Sequence, residues 1–150
     1  FKVVTSLVHH SQSRKHGCTI VVDLDPEPVA ISGQVLSPPL DLRKPYMLKM
    51  AKSLAKVDGA LHIGADLHLH GFACLLDGRS FQGEDLARGA RYNSALRFTA
   101  EHPNIIVVVV SSDRPVSVIH QGVDVHGACT LEGAGGCVYN LDRLDYWVGL

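Results

Sequence analysis

The chain has almost no net charge: 14 Lys+Arg stand against 15 Asp+Glu in 150 residues. There is no general pull towards nucleic acid or an anionic membrane surface, so any anion binding has to be local. Long apolar runs are also missing. The longest, Ile105 to Val110, falls far short of the roughly 18 residues that cross a bilayer, and fits a buried strand. No Cys-x-x-C pair occurs. Cys18, Cys74, Cys129 and Cys137 are widely spaced and read as free thiols in a reducing cytoplasm. There is no signal-peptide pattern, internal repeat or low-complexity segment. The chain opens on Phe1, and the expectation is an excised piece of a larger protein, fused there to other domains. Hydrolase chemistry has no support, because no Gly-x-Ser-x-Gly elbow is present and no cysteine has an evident histidine partner. Gly133-Ala134-Gly135-Gly136 lacks the Lys-Ser/Thr of a P-loop, and reads as a flexible turn.

What is present suits one α/β domain, with 46% hydrophobic residues to build its core. Phe1, Val4, Leu7 and Val8 recur at helical spacing up to Arg14-Lys15-His16-Gly17, where the basic residues and the glycine favour a helix end. Cys18 to Val22 is a β-branched strand, and Val29-Ala30-Ile31 is expected as a short edge strand. The prolines of Ser37-Pro38-Pro39 predict a loop. Arg43 to Lys56 carries an apolar helical stripe with Pro45 in its first turn. Ala60 to Ile63 and Leu67 to Leu76 flank a short loop and predict a hairpin. Ala90 to Glu101 is a helix stopped by Pro103. Ile105 to Val110, apolar throughout, predicts a central strand buried on both faces, and Val116 to Ile119 returns beside it. Val138 to Leu150 is a last strand or a docking helix, with Tyr146 and Trp147 pinning the terminus to the core. The expected fold is a central mixed, twisted sheet flanked by helices.

Three places join turn geometry to polar groups at strand ends, where α/β sheets hold their ligands. Asp58-Gly59-Ala60 offers a carboxylate to a metal or hydroxyl beside small residues that let a ligand approach, although Asp-Gly is also a common turn. Gly89-Ala90-Arg91-Tyr92-Asn93-Ser94 opens a helix, where unpaired amides and a partial positive charge suit phosphate. Ser111-Ser112-Asp113 follows the central strand with two hydroxyls and an acid. Around the second place lies a basic island. Between residues 79 and 97, Arg79, Arg88, Arg91 and Arg97 stand against only Glu84 and Asp85.

In this order and spacing, the three motifs resemble the diadenylate cyclase domain found at the N-terminus of the DNA-integrity scanning protein. The resemblance runs from Arg14 to Gly122, leaving 123–150 as an extension. It implies a domain that condenses two ATP molecules into cyclic di-AMP with a divalent metal (Mg or Mn), two copies standing face to face in a homodimer or higher oligomer. It further implies no DNA binding by this domain and no membrane. Carried over, Asp58 is the catalytic residue, assisting the metal and activating the 3′-hydroxyl. Gly59 and Ala60 line the nucleotide, Leu75 or Leu76 touches adenine, and Arg91 matches the first arginine of the family's Arg-His-Arg. Ser94 lies near phosphate or ribose. Ser111 matches the serine after the central strand, and Asp113 is a second acid for the metal. Tyr92 and Asn93 stand where the family has histidine and its second arginine. They hydrogen-bond but bring no positive charge at pH 7, which removes charge from the phosphate clamp. Arg88 and Arg97 are the nearest candidates to replace it.

Two other readings follow. One is a catalytically degenerate sensor that binds ATP or a cyclic dinucleotide within a larger protein. The other is a structural or metal-binding module. His68 and His70 alternate along one strand and so share a face, with His62 on the paired strand, an arrangement that can ligate zinc but more often makes a solvated strand face.

Overall fold

A computed structural model describes residues 2–82 and 84–125. The segment 126–150, with Cys129, Cys137, the Gly133–Gly136 turn, Tyr146 and Trp147, lies outside the described residues. Helix α1 spans Lys2–Ser13, followed by β1 (Cys18–Asp23), β2 (Gln34–Asp41), α2 (Pro45–Leu54), β3 (Ala60–Gly64) and β4 (His68–Cys74). A short 3₁₀ turn at Leu86–Arg88 leads into α3 (Ala90–Glu101), then β5 (Ile105–Val110), β6 (Ser117–His120) and β7 (Val123–Asp124). The strands form one mixed sheet in the order β2-β4-β3-β1-β5-β6-β7. Only β1 and β3 pair in parallel; every other neighbour is antiparallel.

All six residues of β5 are buried. Their alternation explains why. Val108 and Val110 face a core built with Val3, Val4, Leu7 and Val8 of α1 and Ala51 of α2. Ile105, Val107 and Val109 face the opposite core, with Ala95, Leu96 and Phe98 of α3. Strand side chains alternate between faces, so an all-apolar strand is stable only when both are covered.

Two expectations change. Ser37-Pro38-Pro39 is not a loop; it lies within β2, with a cis Ser37–Pro38 peptide bond. Proline cannot donate to a ladder, yet β2 is an edge strand and its pairing with β4 shifts register between Val35 and Leu40, where the prolines sit. The edge strand expected at Val29–Ile31 does not form. That segment folds over the α3 side of the sheet, where Val29 and Ile31 pack against the core.

This covering segment is anchored by a buried carboxylate. Asp23, at the end of β1, is fully buried and accepts hydrogen bonds from the amides of Asp25 (3.0 Å) and Val29 (2.8 Å). Its Oδ2 also accepts from His62 Nε2 of β3 at 2.8 Å. A buried carboxylate is tolerated when its lone pairs are satisfied in this way. Asp23→Ala leaves two amides and an imidazole without their acceptor. The expected loss is about 3 kcal/mol of unfolding free energy. Urea denaturation measures it, and a loss well below about 1 kcal/mol contradicts the anchoring role.

Candidate functional site

The strand directions decide which loops meet. Because β3 is parallel to β1 and β5 antiparallel to it, the residue before β3 and the residue after β5 come to the same edge of the sheet. Asp58 lies two places before β3 and Ser111 directly follows β5, and Cys18, first in β1, pairs with Val110, last in β5. The N-terminus of α3 arrives at this edge from one face.

An open pocket of about 200 Å³ lies there. Its floor is Val109, Val110 and Ser111, one wall is Gly89 to Tyr92, and the other is Arg114, Pro115 and Ser117, with Arg88 above. Gly89 caps α3 at φ +90°, and a Cβ there would meet nothing within 4 Å, so a ligand can reach the first-turn amides. No acidic side chain occupies that turn. The helix end thus keeps its donors and its partial positive charge for an incoming anion.

Arg91 leans out of α3 across the start of β1. A Cβ on Gly17 would collide with its guanidinium, so this crossing exists because residue 17 has no side chain. The far side of the guanidinium reaches Asp58, with Nη2 3.5 Å from Oδ1. The Asp58 side chain is 98% exposed, an acceptor held at the open edge. Gly59 behind it has φ +104°, and a Cβ there would strike the backbone of Ala73 on β4. The turn that aims Asp58 therefore requires glycine.

Other expected residues have different surroundings. Ala60 is buried in the α3-side core. Leu76 packs against that core, while Leu75 is exposed and donates its amide to the Ser32 carbonyl. Ser94 is half-buried one turn along α3. None of these lines the pocket. Asn93 turns inward: it is buried and its Nδ2 donates to the carbonyls of Gly89 (3.1 Å) and Asp85 (3.0 Å). It staples the loop before α3 to the helix and does not face the pocket. Tyr92 lies under Arg88, whose Cζ stands 4.0 Å from the ring centroid. Burial raises the Tyr92 phenol above its ordinary pKa, with the charge of Asp124 adding to the effect.

The basic island is smaller than the sequence suggests. Arg97 is held by Glu84 in a two-pronged ion pair, and the Arg79 amide rather than its charge meets Glu101. The cations that line the pocket are Arg88, Arg91 and Arg114. Arg114 and Gly17 are site residues that the sequence reading missed. Arg114 stands one place beyond the Ser-Ser-Asp motif, and Gly17 carries a helix-end signal at the start of the family resemblance with nothing to mark it as a site residue.

For a divalent metal, the chain offers Asp58 and Asp113. Among the described residues, no three His, Cys, Asp or Glu side chains are placed to hold a metal ion. Magnesium commonly takes one or two carboxylates and completes its shell with substrate phosphates and water, and the exposed Asp58 carboxylate fits that mode. The histidine trio does not fit a zinc site. His68 and His70 do come together, with ring centroids 6.4 Å apart, but both are bound to Asp66, and His62 is bound to Asp23. His68 and His70 sit towards the end of β3 opposite Asp58, and His62 lies mid-strand. The buried Cys18 thiol is pushed up to about 11 by desolvation, so it supplies no thiolate.

The family model of the DisA bacterial checkpoint controller nucleotide-binding domain, DAC, matches residues 6–123. The chain belongs to this family. The match begins inside α1, earlier than the motifs indicate, so both faces of the β5 core are family structure. Among solved structures, the DAC domain described here is similar to a hypothetical membrane spanning protein from Bacillus cereus, with TM-score 0.61 and 19% identity. That match covers 81% of this chain and 60% of the other, so this chain spans less than two thirds of that protein. A cysteine double mutant of DacA from Staphylococcus aureus gives TM-score 0.55 and 18% identity, covering 81% of each chain. At such identities the likeness is one of fold. No curated protein matches in sequence. Among the described residues, no helix is long and apolar enough to cross a membrane.

Ser111 Oγ donates to Asp113 Oδ1 at 2.6 Å, and this bond holds the Asp113 carboxyl below its ordinary range. Hydrogen bonding to the charged form favours it, so Ser111→Ala raises the Asp113 pKa towards the ordinary aspartate value of about 3.9. A carboxyl-carbon NMR titration reads the change, and an unmoved midpoint contradicts the assignment.

Proposed function

We propose that this DAC domain binds ATP with its phosphates over the N-terminus of α3, and that two copies face to face join two ATP molecules into cyclic di-AMP. The observation that carries the reading is the Asp58–Arg91 pair at the open edge. The reaction needs a carboxylate for the attacking hydroxyl and a cation for the phosphate under attack. Here they arrive from different elements and meet at 3.5 Å.

In this reading Asp58 takes the proton from a ribose 3′-hydroxyl, whose oxygen bonds to the α-phosphorus of the partner ATP. The bond to pyrophosphate breaks, and pyrophosphate leaves with its electron pair. Repeating the step in the other direction closes the ring. Arg91 and the α3 amides neutralise the charge on the transferring group, the main catalytic contribution in phosphoryl transfer. A magnesium or manganese ion, held by Asp58 and the substrate phosphates, would supply further charge neutralisation. Ser111 lies at the pocket floor within reach of a ribose or phosphate oxygen.

A second reading has its own observation. Asn93 is spent on the loop before α3, and Tyr92 is held beneath Arg88, so neither supplies charge to a phosphate. A site of this kind favours holding a nucleotide over turning it over, as a sensor does.

Incubation with ATP and Mn²⁺ or Mg²⁺, followed by mass spectrometry, separates the two. Cyclic di-AMP that disappears in Asp58→Asn, with ATP affinity kept within a few-fold, supports the cyclase. ATP or cyclic di-AMP binding by calorimetry without product supports the sensor. Absence of binding to either overturns both. Gly17→Ala gives a separate check on the geometry. Its methyl group displaces only the flexible end of Arg91, so stability stays within about 1 kcal/mol. ATP affinity falls on the order of 10-fold, the scale of one charge-assisted hydrogen bond.

A further inference from the structure

α3 carries one cation fewer than the family's Arg-His-Arg would give, because residue 93 is an asparagine, which here is buried and bonded to the preceding loop. Two other arginines line the pocket, and their surroundings differ. Arg88 is committed. Its Nη2 donates to Ser117 Oγ at 3.0 Å and meets Asp124 Oδ2 at 3.3 Å, while its plane covers Tyr92. Arg97, the other candidate in the sequence, is paired with Glu84 and does not line the pocket.

Arg114 is different. It comes from the turn between β5 and β6, across the pocket from Arg91, and is exposed. One guanidinium nitrogen, Nη2, donates to the Ala87 carbonyl at 2.9 Å, which anchors the group beside the loop that leads to Gly89. Among the described residues it makes no contact ion pair; the Asp113 carboxylate beside it in the turn feels its charge but turns to Ser111 for its hydrogen bond. An arginine fixed at one nitrogen keeps further N–H donors in a rigid fork that suits phosphate oxygens.

We propose that Arg114 is the second phosphate-binding cation of this site, supplied from the β5–β6 turn in place of one on α3. The ligand class is a polyphosphate chain, long enough to touch Arg91 and the α3 amides on one side and Arg114 on the other. This inference rests on the ATP reading above and adds to it a residue outside the three motifs.

The test compares wild type, Arg114→Gln, Arg114→Lys and Arg91→Gln by calorimetry. The probes are ATP, inorganic tripolyphosphate and adenosine. Arg114→Gln is expected to weaken ATP and tripolyphosphate on the order of 10-fold or more, as expected for a charge-assisted contact, and to leave adenosine unchanged. Arg114→Lys keeps the charge without the fork and is expected to fall between the two. Thermal melting should match wild type for both, since the side chain is exposed. Unchanged tripolyphosphate and ATP affinity in Arg114→Gln, with both weakened in Arg91→Gln, overturns the assignment and leaves the ATP reading standing. An equal loss for adenosine also overturns it, because that shows damage to the whole pocket. A wild type that binds neither ATP nor tripolyphosphate overturns the ATP reading itself, and Arg114 with it.

Discussion

The pocket depends on β5 being apolar on both faces. A strand with no polar side has to be roofed twice, and the chain does this with α1 and α2 on one face and α3 on the other. Three consequences follow for the site. The C-terminal end of β5 becomes the floor of the pocket. The N-terminus of α3, packed across β5 and β6, is delivered to that end with its donors unspent. The antiparallel pairing of β5 with β1 then brings Gly17 beneath Arg91, and the parallel step from β1 to β3 brings Asp58 to its side. Asp58 and Ser111 are more than fifty residues apart, and they share an edge because of strand direction.

The same logic explains what the sequence made legible. The strand at Ile105–Val110 is legible because a doubly buried apolar run is a strong local signal, and the helix at about Ala90–Glu101 because a glycine opens it and Pro103 closes it. The hairpin after Asp58 was readable for a similar reason. Ser37-Pro38-Pro39 misled, because proline forbids a central strand while an irregular edge position tolerates it, and position in a sheet is a tertiary property. Val29–Ile31 misled for the converse reason. Its apolar residues are buried as a cover over the sheet, fastened by Asp23, and the capture of two amides by a carboxylate six or fewer residues upstream leaves no periodic trace. At the site, Asp58 and Arg91 were visible as motif members, and their contact was not. Arg114 was invisible to motif reasoning because its place is set by the turn between two strands.

Charge behaves in the same way. The near-neutral composition and the apparent island of arginines between residues 79 and 97 are both poor guides to the potential at the pocket. Arg97 is neutralised by Glu84 away from it, and Arg88 is shared between Asp124, Ser117 and the Tyr92 ring. What decides an anion site is the cation left without a carboxylate and facing an opening. Only pairing geometry reveals that, since a contact ion pair has already spent most of its field locally.

The position of Asn93 bears on how such a site changes. Its side chain bonds two carbonyls of the loop that carries Arg88 and Gly89, so it helps to hold the pocket's upper wall. A long cationic side chain turned outward at that place would forgo both bonds and leave each carbonyl its backbone donor alone, the Arg88 amide on Asp85 and the residue 93 amide on Gly89. An outward charge at residue 93 therefore comes at the loss of two side-chain bonds to the preceding loop. A preorganised charge lost from such a clamp commonly costs on the order of 10²–10³ in rate. A cation that binds from an exposed turn recovers affinity more readily than rate, because affinity needs only attraction to phosphate. Rate needs the charge fixed where it develops in the transition state. Asp58 is positioned by a glycine turn against β4, and Arg91 by its passage over Gly17, so those two elements are preorganised. The third is anchored through a single backbone carbonyl. On this argument a cation at Arg114 bears more on affinity for phosphate than on rate.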